Sequence, residues 1–312
     1  MDSSTNEITH EFLPYFRFYK DGHIERLGVF GAPELAPTGL DPKTHVQTKD
    51  VVVSSESGVS ARLFLPKNSH PGHKLPLVVH YHGGAFCIGS PHNKNFHNFL
   101  ASLAADANAI VISVVYRLAP EHPLPTAHED SWAALQWIAT HCNGQGPDPW
   151  LNEYADFGRV FLAGESAGAN IAHYVAVQAG ANKLVGPNIV GSLVVHPYFG
   201  RKETDKMDSL DNLDSLIYPT GSGSSDPIIY PELDPNLSGM AGAKVLICVA
   251  EKDALRDRAV TYCETLRKSG WGGTQSFYET KGEGHGFFLS NPSSHNVEPL
   301  LKAMADFINQ RD

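Results

Sequence analysis

Val160-Phe161-Leu162-Ala163-Gly164-Glu165-Ser166-Ala167-Gly168-Ala169-Asn170 is the stretch on which the fold turns. A short apolar run of strand character ends in Gly-Glu-Ser-Ala-Gly and passes directly into a segment with helical patterning, Ala167–Gln178. A turn this sharp leaves no room for side chains beside its apex, so the residues flanking the apex must be small, as Gly164 and Gly168 are. The same turn forces Ser166 into strained backbone geometry and lifts its hydroxyl above the sheet. The following helix points free amides and a partial positive charge at that spot, which favours an oxyanion. Ser166 is the candidate nucleophile and Ala167 a candidate amide donor.

Working outward, the same strand-then-helix unit recurs. Apolar runs at Leu77–Tyr81, Ala109–Tyr116, Val160–Ala163, Ile189–His196 and Val245–Ala250 are continuous, as in parallel strands buried on both faces. Between and after them lie helix-like stretches: Asn95–Ala107, Glu129–Cys142, Ala167–Gln178, Asp257–Ser269 and Val297–Gln310. The alternation predicts an α/β fold, a doubly wound, mostly parallel sheet with helices on both faces. Residues 51–65 alternate more strictly and predict an antiparallel hairpin at the sheet edge. With the Ser166 turn, the pattern resembles the α/β-hydrolase fold.

Residues 1–45, with the aromatics Phe12, Tyr15, Phe16, Phe18 and Tyr19, and residues 198–240, rich in Gly, Ser, Pro and Asp, do not fit the alternation. Long irregular stretches in compact domains are often lids. They are read as a small cap on a single domain spanning 1–312.

After the run Leu77–Tyr81 comes His82-Gly83-Gly84-Ala85-Phe86. Two adjacent glycines let the backbone approach a substrate closely and turn amides toward one oxygen. Gly83, Gly84 and Ala167 are the expected oxyanion-hole donors, and His82 is read as orienting the loop by hydrogen bonding.

In α/β-hydrolases the chain order is Ser, then Asp or Glu, then His. Of His173, His196, His285 and His295, only His285 sits in a glycine-flanked loop, Gly282-Glu283-Gly284-His285-Gly286, placed to reach back over the sheet. It is the candidate base. Behind the run Val245–Ala250, Asp253 and Asp257 compete for the acid. Asp253 is nearer the strand end, and Asp257 is placed to cap the next helix. Asp253 is favoured, to hold the His285 tautomer and stabilise the imidazolium.

Other polar residues are read as structural. Arg117 and Glu121 hold their loop near the nucleophile helix, Glu129 and Asp130 favour a helix dipole, and Trp132 and Trp137 pack. His10, His23, His45, His70, His73 and His92 show no metal-ligand spacing, so neither a metal nor a cofactor is expected. The four cysteines form no CxxC pair, which argues against a disulfide framework. The net charge of −10 comes without a basic patch, so nucleic acid is not an expected partner. The N-terminus lacks a signal peptide's apolar stretch and no run reaches membrane-span length, so a cytoplasmic protein without membrane partners is expected.

His82-Gly-Gly-Ala-Phe, Tyr116-Arg-Leu-Ala-Pro-Glu-His-Pro-Leu-Pro, Gly164-Glu-Ser-Ala-Gly-Ala-Asn and Glu251-Lys-Asp-Ala-Leu-Arg-Asp-Arg together resemble plant carboxylesterases of the hormone-sensitive-lipase-like branch of α/β-hydrolases. Phe18-Tyr-Lys-Asp-Gly-His-Ile-Glu-Arg-Leu and Ser269-Gly-Trp-Gly-Gly extend the resemblance over nearly the whole chain. It implies a cap from the N-terminal segment and the insertion before the acid-bearing strand, small-molecule ester substrates, no cofactor and a cytosolic location. Residues 200–230 depart from the pattern by lacking an apolar, tryptophan-bearing stretch, which predicts a shorter, more open cap. The branch also contains 2-hydroxyisoflavanone dehydratases, alkaloid cyclases and gibberellin receptors. The retained Ser166, Asp253, His285 and oxyanion glycines favour hydrolysis over elimination or cyclisation, and His285 argues against a receptor.

Overall fold

The computed structural model describes residues 7–13, 16–27, 34–70, 72–200, 217–219 and 226–310. The 28–33, 201–216 and 220–225 parts of the expected cap, and with them the expectation of a shorter, more open insertion, lie outside the described residues.

The chain begins with a small antiparallel sheet of β1 (Ile8–Phe12), β2 (Phe16–Tyr19) and β3 (Ile24–Arg26). Sequence patterning gave these residues only as cap packing. Phe16 is indeed fully buried, in the same cluster as Phe86 and Tyr116. The main sheet is built from β4 (Gly39–Leu40), β5 (Gln47–Val52), β6 (Ser60–Leu65), β7 (Leu75–Tyr81), β8 (Ile110–Val115), β9 (Ala155–Glu165), β10 (Ile189–Val195), β11 (Lys244–Ala250) and β12 (Thr274–Thr280). Its order is β12-β11-β10-β9-β7-β8-β6-β5-β4. The ladders from β8 through β12 are parallel, while β4, β5 and β6 add an antiparallel edge. The hairpin expected over 51–65 is there, with Gln47 opposite Leu65 and Val52 opposite Ser60.

The α-helices whose full range lies among the described residues are α1 (Lys94–Ala107), α2 (Thr126–Ala139), α3 (Pro149–Tyr154), α4 (Ala167–Ala181), α5 (Arg256–Lys268), the single turn α6 (Phe287–Ser290) and α7 (Val297–Asn309). The period-2 geometry of each strand divides its side chains between two apolar layers. Val245, Ile247 and Val249 of β11 join the cluster containing α2, α4 and α5, whereas Leu246, Cys248 and Ala250 join that of α1, α6 and α7. This double burial is why the strands read as unbroken apolar runs. Trp132 and Trp137 pack against the first layer, as expected. β12 escaped the sequence reading because it is an edge strand with a mostly polar, largely exposed sequence, Thr-Gln-Ser-Phe-Tyr-Glu-Thr.

At β9–α4 the fold sets a tight constraint. A Cβ on Gly164 would run into the Gly168 carbonyl, and one on Gly168 into the Tyr81 carbonyl at the end of β7. Only glycine lets the nucleophile helix pack this closely on the sheet.

Candidate active site

Ser166 lies between β9 and α4 with φ +56°, a left-handed conformation that a non-glycine residue holds only at a cost of about 1–3 kcal/mol. Its amide is committed to the Val195 carbonyl at 2.9 Å, leaving the side chain to face the cleft. Ser166 Oγ sits 3.0 Å from His285 Nε2, and His285 Nδ1 sits 2.8 Å from Asp253 Oδ2. The three side chains singled out in sequence thus form one hydrogen-bonded chain over the C-terminal ends of the strands.

Asp253 is almost wholly buried, and its Oδ1 accepts the Leu255 amide at 2.8 Å. Burial alone would push its carboxyl up. The hydrogen bond and charge of His285 and the hydrogen bond from the Leu255 amide outweigh that and hold it below the ordinary value. Asp257, its sequence competitor, is 95% exposed and contacts Arg256. The expectation that Asp257 caps α5 is corrected: it lies inside the first turn, Leu255 occupies the cap position, and no side chain caps there.

The glycine loop differs from expectation in one donor. The Gly83 amide does not face the cleft; it donates to Glu165 Oε1 at 2.6 Å. Glu165 Oε2 meets His80 Nε2 at 2.7 Å, and His80 Nδ1 meets Ser113 Oγ at 2.8 Å, all in the interior. Gly83 is therefore corrected from oxyanion donor to loop anchor, because its one N–H is already used. Gly84, at φ +118°, and Ala85, at φ +53°, follow this anchor in left-handed conformations. Neither has a hydrogen-bond acceptor among the described residues, and Ala167 opens α4, where amides have no intrahelical acceptor. His82 orients the loop as expected. Its ring stacks on Tyr116 at 4.2 Å, its carbonyl accepts the Tyr116 hydroxyl at 2.6 Å, and burial pushes its imidazole down to about 3.

Arg117 grips Asp130 through Nε at 2.9 Å and Nη2 at 2.7 Å, so Asp130 serves this fork rather than a helix dipole. Glu121 instead pairs with Arg26 of β3, whose Nε also donates to the Cys87 carbonyl at 2.7 Å. This ties the N-terminal sheet to the loop that carries Gly84. Asn170 donates to the Tyr198 and Ile228 carbonyls at 3.1 and 2.7 Å and meets His128 at 2.7 Å, fastening the segment after β10 to the nucleophile helix. His173 is buried on α4 against Tyr262, away from Ser166. His196, Asp253 and His285 are close enough to share a cation, within 4.8 Å of one another. Their facing atoms are already committed, His285 Nδ1 to Asp253 and His196 Nδ1 to the Gly286 amide. Sequence reasoning passed over Glu165, His80 and Ala85, and weighed His196 only as a rejected base candidate. The one available signal was the polar character of His80 and Glu165 at strand positions otherwise apolar.

A strained serine on a β9–α4 turn, a histidine and acid from later loops, and unpaired amides opposite them define a hydrolase of the strand–turn–helix kind. The chain belongs to the alpha/beta hydrolase fold family, which it matches over residues 78–289. It is 42% identical to "Probable carboxylesterase 5" of Arabidopsis thaliana over 97% of this chain and 99% of that protein. It is 38% identical to a 2-hydroxyisoflavanone dehydratase of Glycine max over 97% of this chain and 99% of that one. Among solved structures, a hyperthermophilic esterase from the archaeon Pyrobaculum calidifontis superposes with a TM-score of 0.69 at 27% identity, covering 84% of this chain and 85% of its own. The likeness to plant carboxylesterases read from the motifs therefore extends along the whole chain.

Proposed function

We propose that this chain is a serine carboxylesterase acting on small-molecule carboxylic esters through an acyl-enzyme on Ser166. The observation that carries the reading is the 3.0 Å approach of His285 Nε2 to Ser166 Oγ, with Asp253 at 2.8 Å behind it. His285 takes the serine proton as Oγ attacks the ester carbonyl. The carbonyl oxygen gathers charge and receives hydrogen bonds from the amides of Gly84, Ala85 and Ala167. His285 then returns the proton to the departing alcohol, leaving the acyl group on Oγ. A water, deprotonated by His285, attacks that acyl group; the carboxylic acid leaves and the proton returns to Ser166. Asp253 holds the Nδ1 proton toward itself, so Nε2 is free to accept.

The dehydratase relatives give the competing reading, elimination in the same pocket without an acyl-enzyme. The deciding experiment is a p-nitrophenyl ester series of increasing acyl length combined with fluorophosphonate labelling. Ester turnover and a single adduct mapped to Ser166 support the reading; negligible turnover, or an adduct elsewhere, refutes it. We also place the protein in the cytosol, supported by four cysteines left as free thiols, three of them buried. No helix among the described residues is long and apolar enough to cross a membrane. One 42%-identical relative is named as mitochondrial, so fractionation with organelle markers is the check.

A further inference from the structure

Val195, the last residue of β10, and His196, the residue after it, each accept an amide from one of the two reacting loops. The Val195 carbonyl accepts the Ser166 amide at 2.9 Å, and His196 Nδ1 accepts the Gly286 amide, on the residue after His285, at 3.0 Å. We infer that His196 is a positioning residue for the base: its Nδ1 lone pair fixes the peptide that follows His285 and so sets the direction from which His285 faces Ser166. The inference rests on the reading of His285 as the base.

Several observations converge on this role. His196 is 1% exposed yet adopts φ +46°, a left-handed conformation disfavoured for a residue with a side chain and kept only where the surroundings require it. That conformation turns the ring from the end of β10 toward the Gly286 peptide, itself left-handed at φ +60°. Phe288 holds the ring at 5.5 Å and Phe287 at 6.0 Å between centroids, so the imidazole is wedged rather than free to rotate.

The tautomer matters as much as the contact. A nitrogen that accepts an N–H cannot carry a proton, so the His196 proton resides on Nε2. The same Nδ1 lies only 3.6 Å from Asp253 Oδ2, the oxygen that serves His285. A proton on His196 Nδ1 would compete for that oxygen. Because the Gly286 amide occupies the lone pair instead, Asp253 Oδ2 is left to His285 alone. Burial and the neighbouring His285 push the His196 imidazole down to about 3, against the opposing pull of Asp253, so the ring stays neutral beside the imidazolium that forms in turnover.

The test begins with wild-type protein and 15N NMR of its histidines. The expected spectrum shows His196 neutral, with the proton on Nε2; a proton on Nδ1, or a charged ring at neutral pH, overturns the inference. Two variants follow. His196→Leu removes the acceptor and is expected to lower kcat roughly 100-fold with KM little changed, as a displaced catalytic group does. It should also erase the far-downfield proton resonance of the His285–Asp253 hydrogen bond. His196→Asn places an amide oxygen close to the lost Nδ1 and should restore that resonance and most of kcat. Equal losses in both variants, or an unchanged kcat in His196→Leu, overturn the inference. Should His196→Leu fail to fold, His196→Asn decides: near-wild-type kcat with the downfield proton supports the role, and loss of both refutes it. His285→Ala, assayed alongside, isolates the underlying reading: retained turnover there removes the base assignment itself, whatever His196 does.

Discussion

The carboxylate of Glu165 binds the Gly83 amide at 2.6 Å, so the residue before Ser166 anchors the loop that faces it. The anchor is continued inward by His80 at 2.7 Å and Ser113 at 2.8 Å from His80. The turn and the glycine loop, 82 residues apart in sequence, are therefore joined through one buried carboxylate. Glu165→Ala would leave the Gly83 amide and a His80 nitrogen without partners in the interior, at about 1–3 kcal/mol for each group. The expected result is a clear drop in the urea midpoint and a fall in kcat of up to roughly 100-fold, because the neighbouring amides lose their aim. Glu165→Gln, which still accepts from Gly83, should keep most of kcat. Wild-type stability and turnover in Glu165→Ala would contradict the anchor.

Asp253 and Asp257 separate cleanly. Asp253→Asn should lower kcat by about 10⁴, since an amide cannot hold the His285 tautomer as a carboxylate does. Asp257 is exposed and caps nothing, so Asp257→Asn should change stability by no more than about 0.5 kcal/mol and leave turnover intact. Steady-state kinetics and thermal melts of both variants check the pair; the reverse pattern would move the acid role to Asp257.

Ser166 distinguishes hydrolysis from elimination. At φ +56°, on a turn closed by Gly164 and Gly168, its side chain is expected to tolerate an added methyl poorly. Ser166→Ala should abolish p-nitrophenyl ester turnover, and Ser166→Thr should nearly do so. An elimination enzyme needs only a hydroxyl that relays a proton. Full activity of Ser166→Thr on an elimination substrate, beside negligible ester turnover, would hand the pocket to that chemistry.

Acid should destabilise the fold well before Asp253 protonates. Burial pushes His82, His173 and His196 down to about 3 and His128 to about 4. In the unfolded chain an imidazole binds its proton near pH 6.5. Between these values the unfolded state holds more protons, so stability falls as pH drops below about 6.5, by up to about 1.4 kcal/mol per unit for each ring. Asp253, whose carboxyl is held below its ordinary value, adds stability that is present above about pH 4 and lost as pH falls through its folded value. Urea midpoints recorded from neutral pH down to about pH 5 should decline steadily. A flat response would mean that these rings are solvated.

Arg26 should govern substrate access more than stability. Its ion pair with Glu121 is partly exposed and worth little in itself. Its fork, however, also binds the Cys87 and Ala119 carbonyls, a geometry an ammonium cannot reproduce. Arg26→Lys should raise KM and speed proteolytic clipping of the N-terminal sheet with little change in kcat. A variant with wild-type KM and wild-type resistance to protease would free that sheet from any part in binding.

The buried sheet, the nucleophile turn and the Ser166, Asp253 and His285 positions were legible because each leaves a local trace: an unbroken apolar run, a glycine on either side of a serine, a histidine between glycines. What escaped depends on partners distant in sequence. Whether Gly83 or Ala85 offers its amide to a substrate is decided by Glu165, which no spacing around the glycines reveals. His196 looked like the last residue of a strand; its ring acquires a purpose only where the Gly286 peptide arrives, 90 residues later. β12 was missed because an edge strand with exposed faces need not be apolar, and Asp130 was misread because its Arg117 partner lies on the preceding loop.

The parallel crossovers carry a consequence for how activity appears during synthesis. Ser166 and His285 are 119 residues apart, and β11 and β12 must dock before the loop bearing His285 is in place. Pairings this remote along the chain form slowly, after local structure. With His285 as the proposed base, a growing polypeptide that has completed the β9–α4 turn is still inert, because nothing yet draws the proton from Ser166. On that proposal turnover is withheld from partly made or partly folded molecules, and reactivity toward an ester is expected to report that the final strand has joined the sheet.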